Sequence, residues 1–68
     1  MSEKDVCAIL ERHGFVEVHR RGSHVVMQLI SDDENTTTVP VPDHKELKQG
    51  TLRSIIRQSG IPRSEFES

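Results

Sequence analysis

Apolar positions along the chain follow two different periods. Over the first dozen residues Val6, Ile9 and Leu10 recur at three- and four-residue spacing, the mark of one helical stripe. Ser2, three residues ahead of Asp5, makes a capping-box-like start, and Gly14 supplies a left-handed stop with Phe15 placed to fold back on the last turn. The stretch "SEKDVCAILERHGF" therefore predicts a first helix. The period then changes to two. "FVEVHRR" is rich in branched residues and reads as a strand, Gly22-Ser23 as a tight turn, and "HVVMQLI" as the returning strand of a hairpin. Alternation along that second strand sets Val25, Met27 and Leu29 on one face and His24, Val26, Gln28 and Ile30 on the other. The first set is wholly apolar and is the predicted core face.

"SDDEN" is a second turn cluster. "TTTVPV" has strand propensity, but Pro40 cannot donate a ladder hydrogen bond, so the third strand ends there or lies at an edge. Pro40 to Gln49 reads as an ordered loop of about ten residues. In "GTLRSIIRQSG" a second helix sets Leu52, Ile55, Ile56 and Ser59 along one stripe, while Arg53 and Arg57 share a neighbouring exposed face. Gly60 ends that helix, Ile61-Pro62 blocks its continuation, and "RSEFES" has room for one more turn. The prediction is an α+β fold in the order α-β-β-β-α, as one domain over residues 1–68. Its three-stranded antiparallel sheet carries both helices on one face, because neither helix is apolar all round. His24 then lies on the open face, beside a turn and close in sequence to Arg20 and Arg21.

Composition narrows the function classes. A chain of 68 residues buries only about 60% of the surface its unfolded form exposes, so its stability is marginal. The single cysteine excludes an internal disulfide, and Cys7 reads as a small buried apolar residue. Nothing resembles a signal peptide or an apolar run of spanning length, so a cytoplasmic protein with no membrane partner is expected. The net charge is −2, yet from Lys45 to Arg63 the bases Lys45, Lys48, Arg53, Arg57 and Arg63 stand against Glu46 alone. That asymmetry lets a polyanion approach one face, and solvated surface charge accounts for it equally well. With no Trp or Tyr, and only Phe15 and Phe66 aromatic, platforms that stack bases on exposed rings are not expected. Nucleic acid, if bound, is held through phosphates and shape.

Among chemistry-bearing residues His24 stands out. An imidazole gives and takes protons near neutral pH, and beside arginines that hold a phosphate it is a candidate general acid or base, a role worth about 10²- to 10⁴-fold in rate. A surface histidine with no task is the alternative reading of the same spacing. His13, in the last helical turn, and His19, alternating along the first strand, read as structural or idle. His44 lies in the proline-bounded loop, which could fold it back toward the sheet. No pair among Cys7 and the four histidines has metal-ligand spacing, and no glycine-rich phosphate loop is present, so neither metal nor small-molecule cofactor is expected. Ser23 lacks the strand-turn-helix setting of a nucleophile elbow and is expected to close its turn by bonding to backbone; Cys7 has no basic neighbour in register.

"GSH" at Gly22 to His24, the "GF" turn at Gly14-Phe15 and "VPVPDHKELKQGTLRSIIRQSGI" together resemble the HicA toxins of bacterial HicA-HicB toxin-antitoxin modules. The resemblance runs from the first helix to Phe66, with "GSH", "VP", "ELK", "GTLRSI" and "QSGI" in the family's order and approximate spacing. It implies a fold similar to the double-stranded RNA-binding domain, which agrees with the element order read from the pattern. It also implies a ribosome-independent mRNA endoribonuclease whose activity depends on His24, presented by the turn at Gly22 and Ser23, and a HicB-like antitoxin as partner. The chain departs from the family's pattern in following the motif with Val25-Val26-Met27, where another histidine and an aromatic residue are frequent, and in its acidic balance.

On that reading His24 deprotonates a ribose 2′-OH, which attacks the adjacent phosphorus without metal and leaves a 2′,3′-cyclic phosphate. His44 or water serves as the second acid/base group. By position and charge, Arg20, Arg21, Lys45, Lys48, Arg53 and Arg57 are the expected RNA contacts. A non-catalytic RNA-binding or antitoxin-binding module of the same fold is the main alternative. A third is an interaction domain using its apolar second strand and arginines for a protein partner.

Overall fold

The computed structural model describes residues 1–67, in the order α1 (Glu3–Arg12), β1 (Val16–Arg21), β2 (His24–Ile30), β3 (Thr36–Pro42), α2 (Gln49–Ser59) and a 3₁₀ turn (Arg63–Phe66). Local chemistry sets both ends of α1. The Ser2 hydroxyl accepts the Asp5 N–H at 3.3 Å while the Asp5 carboxylate accepts the Ser2 N–H at 3.0 Å, a reciprocal capping box. At the other end the Phe15 N–H donates to the Leu10 carbonyl at 3.0 Å and the Gly14 N–H to that of Glu11 at 3.1 Å, the paired bonds of a Schellman motif. Gly14 sits at φ 93°, and Phe15 drops into the core beside Leu10.

The three strands form one antiparallel sheet with β2 in the centre. β3 runs through Pro40 to Pro42, so of the two sequence expectations for this proline the edge position holds. The Asp43 N–H donates to the Ser23 carbonyl at 2.6 Å, and alternation from that bond puts Pro42 and Pro40 at non-hydrogen-bonded places opposite His24 and Val26. Their missing N–H groups fall on the outer edge, which they blunt. The connection to α2 is consequently shorter than the sequence suggests, spanning 43–48.

The register between β1 and β2 shifts at a bulge between Glu17 and His19. Val25, Met27, Val39 and Val41 are fully buried beneath Val6, Ile9 and Leu10 of α1, Ile55 of α2, Leu47 of the loop, and Ile61 and Phe66 near the end of the chain. Both helices thus lie on one face of the sheet, covering β2 and β3, while every residue of β1 stays exposed. Ser59, buried at the end of α2, accepts the Ile61 N–H at 3.2 Å and donates to the Ile56 carbonyl at 2.9 Å. Among the described residues no helix is long and apolar enough to cross a membrane.

Candidate active site

The hairpin joining β1 and β2 builds the site. Gly22 adopts φ 58° at the first of the two turn positions, the place where a two-residue hairpin of this kind takes glycine. Ser23 contributes its main chain, through the carbonyl that holds Asp43. A two-residue turn sets Arg21 opposite His24, Arg20 opposite Val25 and His19 opposite Val26. Paired residues share a face, so the pleat separates neighbouring side chains. His24, Arg21 and His19 stand on the uncovered face; Arg20 stands on the helix-bearing face with Val25.

The two arginines consequently have different surroundings. The Arg20 guanidinium donates to Asp43 Oδ2 at 2.8 Å and lies 3.8 Å from the buried carboxylate of Glu3. Arg21 enters no ion pair among the described residues and remains exposed beside His24. Directly opposite side chains in such a ladder have Cβ atoms roughly 5 Å apart, and diagonal ones roughly 7 Å. One guanidinium thus borders two imidazoles on an open surface. Such a surface can receive a phosphodiester within a long polymer, hold it by charge and exchange protons with it.

The structure places the remaining candidates in two groups. Lys45 and Lys48 lie on the β3–α2 connection, which is drawn to the hairpin end by the Asp43–Ser23 bond and anchored by buried Leu47, whose N–H donates to the Met1 carbonyl at 2.8 Å. His44 is in the same connection, but its carbonyl accepts the Glu3 N–H at 3.0 Å, and it lines a hollow with Ser2, Glu3, Lys4, Asp43 and Lys45. That hollow is at the start of α1, not on the face that carries His24. Arg53 and Arg57 are exposed on α2, whose Ile55 packs on the covered side of the sheet. They belong to the helix layer, across the molecule from His24.

Cys7 is buried and donates to Glu3 Oε1 at 3.6 Å; burial, reinforced by the Glu3 carboxylate, pushes its thiol up to about 12. It stays protonated near neutral pH and is no nucleophile. Among the described residues no group of three His, Cys, Asp or Glu side chains converges as metal ligands.

Strand alternation alone leaves His19 idle, yet it shares the face of His24. The two-residue turn carried the missing signal, because counting outward from Gly22-Ser23 pairs residue 19 with residue 26. The bulge beyond it has no comparable sequence mark.

No curated protein sequence matches the chain. The family model described as the HicA toxin of bacterial toxin-antitoxin systems matches residues 4–61, a span that takes in most of α1, the whole sheet, the hairpin with His24 and all of α2. The chain belongs to the HicA toxin family.

Proposed function

We propose that this toxin is a metal-independent endoribonuclease that cleaves mRNA with His24 as its acid/base residue and is held inactive by a HicB-like antitoxin. The observation that carries this reading is the placement of His24 directly opposite Arg21, which has no ion-pair partner among the described residues, at a glycine turn and on a sheet face that neither α1 nor α2 covers. His24 takes the proton of a ribose 2′-OH as the oxygen attacks phosphorus, and Arg21 offsets the charge that develops on the phosphorane. Lys45 and Lys48, at the same end of the molecule, contact flanking phosphates. Arg53 and Arg57 are reached only by RNA that continues over the helix layer. The antitoxin inhibits by covering the open face around His24.

The test is cleavage of a defined RNA in EDTA by the parent and by His24→Ala, with circular dichroism to show that both fold. Cleavage by the parent alone, ending in 2′,3′-cyclic phosphate, is the expected result. Ends carrying 5′-phosphate with strict Mg²⁺ dependence, or equal cleavage by His24→Ala, would overturn it. RNA binding without cleavage by either protein would favour a binding module.

A further inference from the structure

We infer that His19 is the second catalytic residue, the general acid that protonates the leaving 5′-oxygen, and this assignment rests on the ribonuclease reading of His24. Cleavage by a 2′-hydroxyl needs two proton transfers on opposite sides of one phosphorus: one from the attacking oxygen and one to the leaving oxygen. A single imidazole beside the nucleophile cannot also reach the leaving group in the same step. The partner must share its surface, stand several ångströms away and border the group that holds the phosphate.

His19 meets each condition. It pairs with Val26, two residues beyond His24 on β2, and so lies on the same face, diagonal to His24 at roughly 7 Å between Cβ atoms. Arg21 is its neighbour two residues along β1 and also the residue directly opposite His24, so its guanidinium borders both imidazoles. The bulge between Glu17 and His19 begins immediately beside it, and bulges recur next to active sites, where they re-aim a side chain. His44, tied through its main chain to the start of α1, lacks the shared face.

The step balances with these groups alone. The 2′-oxygen bonds to phosphorus and gives its proton to neutral His24. The bond from phosphorus to the 5′-oxygen breaks, and that oxygen keeps the electron pair and takes a proton from the His19 imidazolium. The products are a 2′,3′-cyclic phosphate and a 5′-hydroxyl, and exchange with water returns both imidazoles to their starting states. The charged group facing them on this surface is Arg21; β3 contributes Pro40, Pro42 and Thr38 there, Asp43 at the rim is engaged by Arg20, and no helix covers the face.

A pair of substrates separates the roles: one RNA in its ordinary form and the same RNA with sulfur replacing the scissile 5′-oxygen, whose thiolate leaves without a proton. On ordinary RNA, His19→Ala and His24→Ala should each fall by about 10²-fold or more. On the sulfur-bridged RNA, His19→Ala should recover the parental rate while His24→Ala stays slow. His19→Gln and circular dichroism control for folding. Parental cleavage with His19→Ala unimpaired, or with equal loss on both substrates, would overturn this assignment alone. A parent that cuts neither substrate would overturn the ribonuclease reading and this assignment with it.

Discussion

Arg20 and Asp43 form a bridge of 2.8 Å that fastens β1 to the connection between β3 and α2, on the face of the sheet that Arg21 turns away from. Adjacent residues of one type thereby acquire separate tasks. Both partners of the bridge are about half exposed, so solvent screens it and its worth is below about 1 kcal/mol. Arg20→Gln should lower the melting temperature slightly and leave cleavage close to parental. Arg21→Gln should leave stability unchanged and reduce RNA cleavage at least about tenfold, the loss of one charge-assisted bond to phosphate. Thermal melts and initial rates on the same preparations check both halves.

The two glycines nearest the hairpin differ in what surrounds them. A Cβ at Gly14 would meet Leu29 Cδ1 at 3.1 Å on a backbone already at φ 93°, whereas one at Gly22, φ 58°, meets nothing within 4 Å. Gly14→Ala should cost about 1–3 kcal/mol and Gly22→Ala about 1 kcal/mol. Cleavage should show the opposite order, with Gly22→Ala the more impaired, because that turn presents His24. Urea midpoints and rates measured together decide it.

The capping box predicts an acid limb. Hydrogen bonds to Asp5 from the Ser2 N–H first and the Ser2 hydroxyl second hold its carboxyl below the usual range, and Ser31 with Asn35 does the same for Asp33 in the turn after β2. A depressed carboxyl stabilises the fold above its unfolded pKa and loses that contribution as pH falls through the folded value, so stability should decline below about pH 4. Ser2→Ala should cost about 1 kcal/mol at neutral pH. The gap from the parent should shrink as the medium is acidified, as seen in urea titrations at several pH values.

Cys7 predicts the alkaline limb. Its thiol is raised first by burial and then by Glu3 to about 12, whereas the unfolded chain's thiol ionises near 8.5. The folded state retains a proton that the unfolded state gives up, so this contribution is complete below the unfolded pKa and is lost as pH rises toward 12. Cys7→Ala should show a flatter stability profile between about pH 9 and pH 11. In the parent at pH 8, thiol labelling should proceed only as fast as the core opens.

Salt dependence should separate the basic groups. Lys45→Gln with Lys48→Gln removes charge from the hairpin end and should flatten the salt dependence of RNA binding by roughly 0.7 per lost contact with a single strand. Arg53→Gln with Arg57→Gln alters the helix layer and should reduce cleavage less. Binding isotherms across a salt series, with rates at saturating protein, distinguish them.

Most of the framework is legible in the chain itself. Capping residues, glycine stops and the switch from helical to strand period are local, and each acts within a few residues, so α1, the hairpin, α2 and the inward face of β2 follow from spacing alone. Even the shared face of His19 and His24 is implicit in a two-residue turn. What only the tertiary structure decides depends on groups distant in sequence coming within reach. Asp43 claims Arg20 and leaves Arg21 free, β3 continues past its prolines because they fall on the outer edge, and the helices cover β2 and β3 but leave β1 bare. Pattern can say which face a residue takes. Packing decides what meets it there, because contact energies depend on distances that the order of residues does not contain.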